Sequence, residues 1–142
     1  MPYGAVERTE ELMQVIQQLM EIPEDETIVV EGLRDRDALR FLGIEGNITV
    51  LNDGHSIVET CESMAESYSV VHILTDWDRK GGQLGRKIID HLKALGVRYS
   101  MEERRKLAYL CKKDIKDVES LPDFIEKIER EEGITTRLWK RV

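Results

Sequence analysis

Two carboxylates separated by a single residue, Asp76 and Asp78, follow the apolar run Val70–Leu74 in the segment ILTDWDRKGG. Such a run reads as a buried strand. Side chains two apart on extended backbone lie on one side, roughly 7 Å apart at about 3.3 Å per residue. Two charges that close repel by about 2 kcal/mol at an effective dielectric near 20. A divalent cation between them reverses the sign, and magnesium suits the pair because it binds through one or two carboxylates and keeps waters or substrate phosphates. The alternative for the same spacing is a polar turn in which Asp78 caps the helix that follows. A second β-branched run, Thr27–Val30, ends in Glu31-Gly32-Leu33-Arg34-Asp35. An acid followed by glycine there is costly for stability but suits a carboxylate aimed into a crevice.

The elements that must position these residues alternate. Leu12, Val15, Ile16 and Leu19 recur at helical spacing and predict an amphipathic helix over 6–22. The pattern then predicts strand 27–31, helix 33–42, strand 47–51, helix 55–67, strand 69–75, helix 82–94 and a short strand 97–100. Strands alternating with helices predict an α/β fold, a Rossmann-like parallel four-stranded sheet with right-handed crossovers and flanking helices. The near-continuous apolar strands TIVV and VVHIL fit burial on both faces. A C-terminal helical extension covers 102–132: a basic helix over 102–113, then a helix starting at Ser120 with Asp123 as its capping-box partner. A tail over 133–142 carries Arg137, Trp139, Lys140 and Arg141. The whole is one domain, with its core at about 27–100.

In open α/β sheets the reactive crevice lies beyond the carboxyl ends of the strands. That rule gathers Glu31 from the first strand, Asn52 and Asp53 from the second, and Asp76 and Asp78 from the third. Clustered carboxylates repel and raise one another's pKa, so a metal site accounts for them better than folding does.

Glu31-Gly-x-x-Asp35 with Thr75-Asp-x-Asp78-Arg-x-Gly81 resembles the two signatures of the Toprim superfamily, which includes type IA topoisomerases, bacterial-type primases, the maturase of 5S ribosomal RNA and certain nucleases. Trp77 stands where the topoisomerases and the maturase usually carry proline. The resemblance spans roughly residues 27–99, and the lack of an attached primase or topoisomerase domain makes the chain look like the small stand-alone Toprim proteins of prokaryotes. It implies magnesium, with manganese as a substitute, held by Asp76, Asp78 and Glu31. It also implies Glu31 as general acid/base, with Asp35 as its companion in the first motif. Asp35 has an alternative place on the first helical turn, where negative charge suits the dipole.

Around these acids, Gly32 and Gly81 permit close backbone approach, and Arg79 and Lys80 can hold a substrate phosphate. Gly82 stands near a helix N-terminus, whose exposed N–H groups bind anions. Asn52 and His55 border the crevice; His55 either assists proton transfer or simply begins a helix. His72 reads as a satisfied core residue, and His91 as a helix-surface one. Trp77 either stacks on a base or covers the site, and Trp139 either does the same or anchors the tail.

Net charge is −7, unevenly spread. Residues 1–62 hold 14 acidic and 4 basic side chains, a balance of −10, whereas 79–116 hold 12 basic and 4 acidic, a balance of +8. The basic excess starts at the carboxylate motif, as a nucleic-acid substrate approaching from one side requires; the alternative is a solvated helix face carrying Arg104, Arg105, Lys106, Lys112 and Lys113. No run reaches the 18 or so apolar residues of a membrane helix, and the acidic N-terminus MPYGAVERTEE is not a secretory signal. Cys61 and Cys111 lack metal-ligand spacing and read as buried thiols. These features predict a cytoplasmic protein. The expected function is magnesium-dependent, nuclease-like processing of RNA or DNA phosphodiesters. The alternatives are a non-catalytic metal- and nucleic-acid-binding module with protein partners, and a phosphohydrolase on small nucleotides. Topoisomerase chemistry is not expected, since Tyr3, Tyr68, Tyr99 and Tyr109 sit in no recognisable motif.

Overall fold

A computed structural model describes residues 4–133. Tyr3, Trp139 and the rest of the tail beyond Gly133 lie outside the described residues. The chain runs α1 (Ala5–Met20), β1 (Glu26–Val30), α2 (Leu33–Phe41), β2 (Asn47–Val50), α3 (Ile57–Ser67), β3 (Val70–Ile73), α4 (Arg79–Ala94), β4 (Arg98–Ser100), α5 (Glu102–Cys111) and α6 (Leu121–Glu132). The four strands are all parallel, in the order β2-β1-β3-β4. Period-two alternation divides their side chains between two apolar layers. Ile28, Val30 and Leu74 pack with α1, α2, α5 and α6, while Val29, Val71 and Ile73 pack with α3 and α4. No helix among the described residues is long and apolar enough to cross a membrane. Cys61 and Cys111 are buried free thiols, as their apolar settings predict.

Most element ends fall within one or two residues of the sequence pattern, and two helix starts differ in a way that bears on the site. Helix α4 starts at Arg79 rather than 82, because Asp78 caps it by accepting the Gly81 N–H at 2.7 Å. The two glycines thus fall inside the first turn instead of before it. At α6 the predicted capping box does not form. Ser120 already has near-helical backbone angles, and Asp117 accepts its N–H at 2.8 Å.

His72, on β3, is satisfied as a half-buried residue between two carboxylates. Its Nε2 lies 2.7 Å from Glu26 Oε1 and its Nδ1 3.2 Å from Glu103 Oε1. Burial disfavours the imidazolium, but the hydrogen bonds and charges of Glu103 and Glu26 outweigh it and raise the pKa. In turn, His72 helps hold the Glu103 carboxyl below its usual range against the burial that would raise it. The raised histidine contributes stability present below its ordinary 6.5 and lost as pH rises through the folded value. The lowered glutamate contributes stability present above its ordinary 4.5 and lost as pH falls through the folded value. His72→Gln is therefore expected to cost about 1–2 kcal/mol near pH 5.5 and distinctly less at pH 9. Urea denaturation at the two pH values measures the difference; an equal cost at both contradicts a charged histidine.

Candidate functional site

Chain order and sheet order diverge at β1: β2 lies on one side of it and β3 on the other. The carboxyl-end crevice at such a switch point is where open α/β sheets bind ligands. Glu31 leaves the end of β1 there, and Thr75-Asp76 leave the end of β3 after Leu74 N–H makes a last ladder bond to Val29 O at 2.9 Å. The two acids are linked directly, the Asp76 N–H donating to Glu31 Oε2 at 2.9 Å. Asp76 Oδ1 accepts the Val118 N–H at 3.3 Å.

Asp35 joins them, in the place on the first helical turn that its position allowed. It stands in the first turn of α2, its Oδ2 accepting the Gly32 N–H at 3.0 Å, and it is almost fully buried at the crevice floor. Its Oδ1 accepts the Glu119 N–H at 3.1 Å, from 84 residues away. Burial raises the Asp35 pKa, reinforced by Glu31 and Glu119 and opposed by the two N–H donors. Burial likewise pushes the Asp76 carboxyl up to about 7, together with the charges of Glu31, Asp35 and Asp117. A carboxyl titrating near neutrality is poised for proton transfer or for gaining a cation.

Gly81 is fixed by close approach. A Cβ there would fall on the Asp76 carbonyl oxygen and stand 2.6 Å from the carbonyl carbon. Its own carbonyl accepts the hydroxyl of the fully buried Thr75 at 2.8 Å. The first turn of α4 is thereby clamped onto the backbone that carries Asp76.

Arg104 and Trp77 complete the setting. From α5, outside the core strands, Arg104 donates Nε to Thr75 O at 3.0 Å and Nη2 to Asp76 O at 2.7 Å. Burial lowers its pKa, and Glu31, Asp76 and Asp78 pull it back up. The sequence placed Arg104 only within a basic stretch; its single local signal was that excess of charge beginning at the acids. Trp77 is a packing residue: its Nε1 donates to Ile115 O at 2.7 Å and its backbone N–H to Lys116 O at 2.9 Å, tying the α5–α6 connection to the acidic loop. Arg104→Gln is expected to cost about 2 kcal/mol, the worth of charged hydrogen bonds lost from half-buried carbonyls. Arg104→Lys recovers only part, since one ammonium cannot reproduce the fork. Urea midpoints of the two variants check both statements; equal stability of wild type and Arg104→Gln contradicts the clamp.

Among the described residues, no group of three or more His, Cys, Asp or Glu side chains stands ready to hold a metal ion. Glu31, Asp76 and Asp78 are thus not a preassembled trio, because the exposed Asp78 is turned to cap α4. Glu31 and Asp76 each spend one oxygen on a backbone N–H, leaving a second. Two hard carboxylates beside solvent fit magnesium, which retains most of its water. Glu31, Gly32, Asp35, Asn52, His55 and Lys80 line one open cleft of about 770 Å3. Arg79 is exposed at the first position of α4 and is not part of that lining. His55 occupies a turn before α3, its N–H and Nδ1 both on Asp53 Oδ1, at 3.1 and 3.2 Å.

Comparison with known proteins places relatives along most of the chain. A UPF0292 protein of Methanosarcina acetivorans is 35% identical over 130 residues, covering 92% of this chain and 88% of that one. A UPF0292 protein of Thermococcus gammatolerans is 37% identical over 122 residues, covering 86% and 89% respectively. Among solved structures, a protein from Aquifex aeolicus matches with a TM-score of 0.59 at 24% identity, covering 84% of this chain and 99% of that one; the likeness concerns the fold. No family model matches the chain.

Proposed function

The chain belongs to the UPF0292 family, and we propose that it is a Toprim-like, magnesium-dependent enzyme that cleaves nucleic-acid phosphodiesters. The observation that carries this reading is the direct Glu31–Asp76 linkage at the β1/β3 switch point, with Asp35 beneath it. When bound there, magnesium (or manganese in its place) would neutralise the phosphate and stabilise the leaving oxygen. Glu31 and Asp76 would hold it, with Asp78 near enough along the chain to act through water. The Asp76 N–H fixes one oxygen of Glu31; the other would serve either as a metal ligand or, with the cation held by Asp76, as the acid/base. Lys80, bordering the same cleft as Glu31, supplies positive charge for the phosphate. Arg104 holds the Thr75–Asp76 backbone in place.

The test is a cleavage screen over structured RNA, single strands and duplexes with magnesium, run beside Asp76→Asn and Glu31→Gln. Cleavage by the wild type that falls roughly a hundredfold or more in both variants, the scale of a lost acid/base group, supports the reading; cleavage unchanged by either substitution sinks it. A second reading, a binding module without turnover, is favoured by the commitment of Asp78 to the α4 cap. Magnesium-dependent nucleic-acid binding with no product selects that module. Hydrolysis confined to free nucleotides selects a phosphohydrolase.

A further inference from the structure

The cleft beside Glu31 has a chemistry that the acids alone do not explain. Leu33, the first residue of α2, is 55% exposed at its rim, and half-buried Ile57 and Leu84 also line it. Beside the acids Glu31, Asp35 and Glu119, the polar part of the same lining comes from Asn52, His55, Ser56, Lys80 and Arg34, the last paired with Glu119 at 3.6 Å. The Asn52 N–H is spent on Glu31 O at 3.0 Å, which ties the loop after β2 to the loop after β1 and leaves the side-chain amide, a donor and an acceptor together. His55 has its Nδ1 on Asp53, so Nε2 is the ring nitrogen left for a ligand. Apolar walls, an amide and Lys80, which unlike Arg34 is paired with no carboxylate among the described residues, in a space of about 770 Å3, suit a flat heteroaromatic ring attached to a phosphate; sites for small molecules generally span about 300–1,000 Å3.

We propose that this cleft seats one unstacked nucleoside adjoining the phosphate at Glu31, which makes single-stranded nucleic acid the substrate class; the polymer part of this statement rests on the nucleic-acid reading above. A base inside a duplex must leave its stack to enter such a space, whereas a base in a single strand is already free to do so. The basic helix is a poorer track next to the site. Arg104 is committed to backbone carbonyls, and Arg105 pairs with Glu102 at 2.8 Å. The strand therefore crosses the β2 side of the crevice, over Asn52 and Leu33.

Fluorescence anisotropy with magnesium present, read before product accumulates, tests this with a short labelled oligonucleotide, single-stranded or as its duplex, at fixed salt. The single strand is expected to bind roughly tenfold more tightly than the duplex, the scale of one favourable base contact. Leu33→Glu and Asn52→Ala, both at exposed residues, are expected to remove most of that preference while leaving the thermal midpoint unchanged. In a parallel NMR titration, adenosine 5′-monophosphate should shift the amide signals of Asn52, His55 and Ile57. Equal affinity for the two forms, absence of binding, or unchanged affinity in Leu33→Glu overturns the proposal. Single-strand binding through Leu33 without any magnesium-dependent cleavage keeps the cleft and removes the nuclease; cleavage indifferent to strandedness removes the cleft and keeps the nuclease.

Discussion

Asp76→Asn is expected to make the protein more stable while abolishing magnesium-dependent cleavage. The folded carboxyl titrates at about 7 against an ordinary 3.8, so between those values the native state binds more protons than the unfolded one. Stability must then fall as pH rises from about 4 to 7, and the penalty is complete above 7. A shift of that size corresponds to an upper limit of about 4 kcal/mol. Partial solvent screening and the coupling of Asp76 to the neighbouring Asp35 reduce the expected gain to about 1–2 kcal/mol. Asparagine keeps an acceptor for the Val118 N–H and drops the charge. Melting curves should show Asp76→Asn and wild type coinciding near pH 4 and separating by about 5 °C at pH 7.5. A constant difference across that range contradicts an acid cluster strained by its own charge. Magnesium adds a second readout. A cation that binds only the folded state raises its midpoint, so excess magnesium should raise the wild type and leave Asp76→Asn unmoved.

Gly81→Ala is expected to be strongly destabilising for a single added methyl. The obstruction is the Asp76 carbonyl, backbone that Arg104 and the Glu31 link already hold. Overpacking usually costs 1–3 kcal/mol when side chains can move; with backbone in the way, about 3 kcal/mol is expected. The displaced Asp76 should also lose its register with Glu31, removing any magnesium-dependent rise in melting temperature. Gly82→Ala is the matched control. Its Cβ would meet only the Arg104 Nη2 at 3.7 Å, an ordinary contact, and alanine is preferred to glycine inside a helix by about 1 kcal/mol. Urea denaturation of the pair should give opposite signs. Equal effects would mean that Gly81 is an ordinary helical glycine.

The two substitutions also separate what was legible in the sequence from what was not. Gly81 and the acids were readable because each belongs to a short segment whose pattern is local: an apolar strand, then carboxylates, then a glycine-rich helix start. The alternation of such segments was enough to give a parallel sheet, and the rule for carboxyl-end crevices was enough to bring Glu31 and Asp76 to one edge. The order β2-β1-β3-β4, with β1 and β3 adjacent, is what turns that shared edge into direct contact.

Other features were decided by the fold, most of them through partners distant in sequence. Asp78 has the spacing of a metal ligand, yet the helix it precedes claims its carboxylate for the Gly81 N–H. His72 is paired with glutamates 46 and 31 residues away. Asp35 receives an N–H from 84 residues away, and Arg104 reaches back 28 and 29 residues to the two carbonyls that carry the site. Residue type and periodicity determined the α/β layering and which strand ends bear acids, because those follow from burial and backbone geometry within a few residues. Only the tertiary structure decided which acids meet, which one is driven toward neutrality and which arginine holds the backbone behind them, because burial and Coulomb interactions depend on distances that no local pattern encodes.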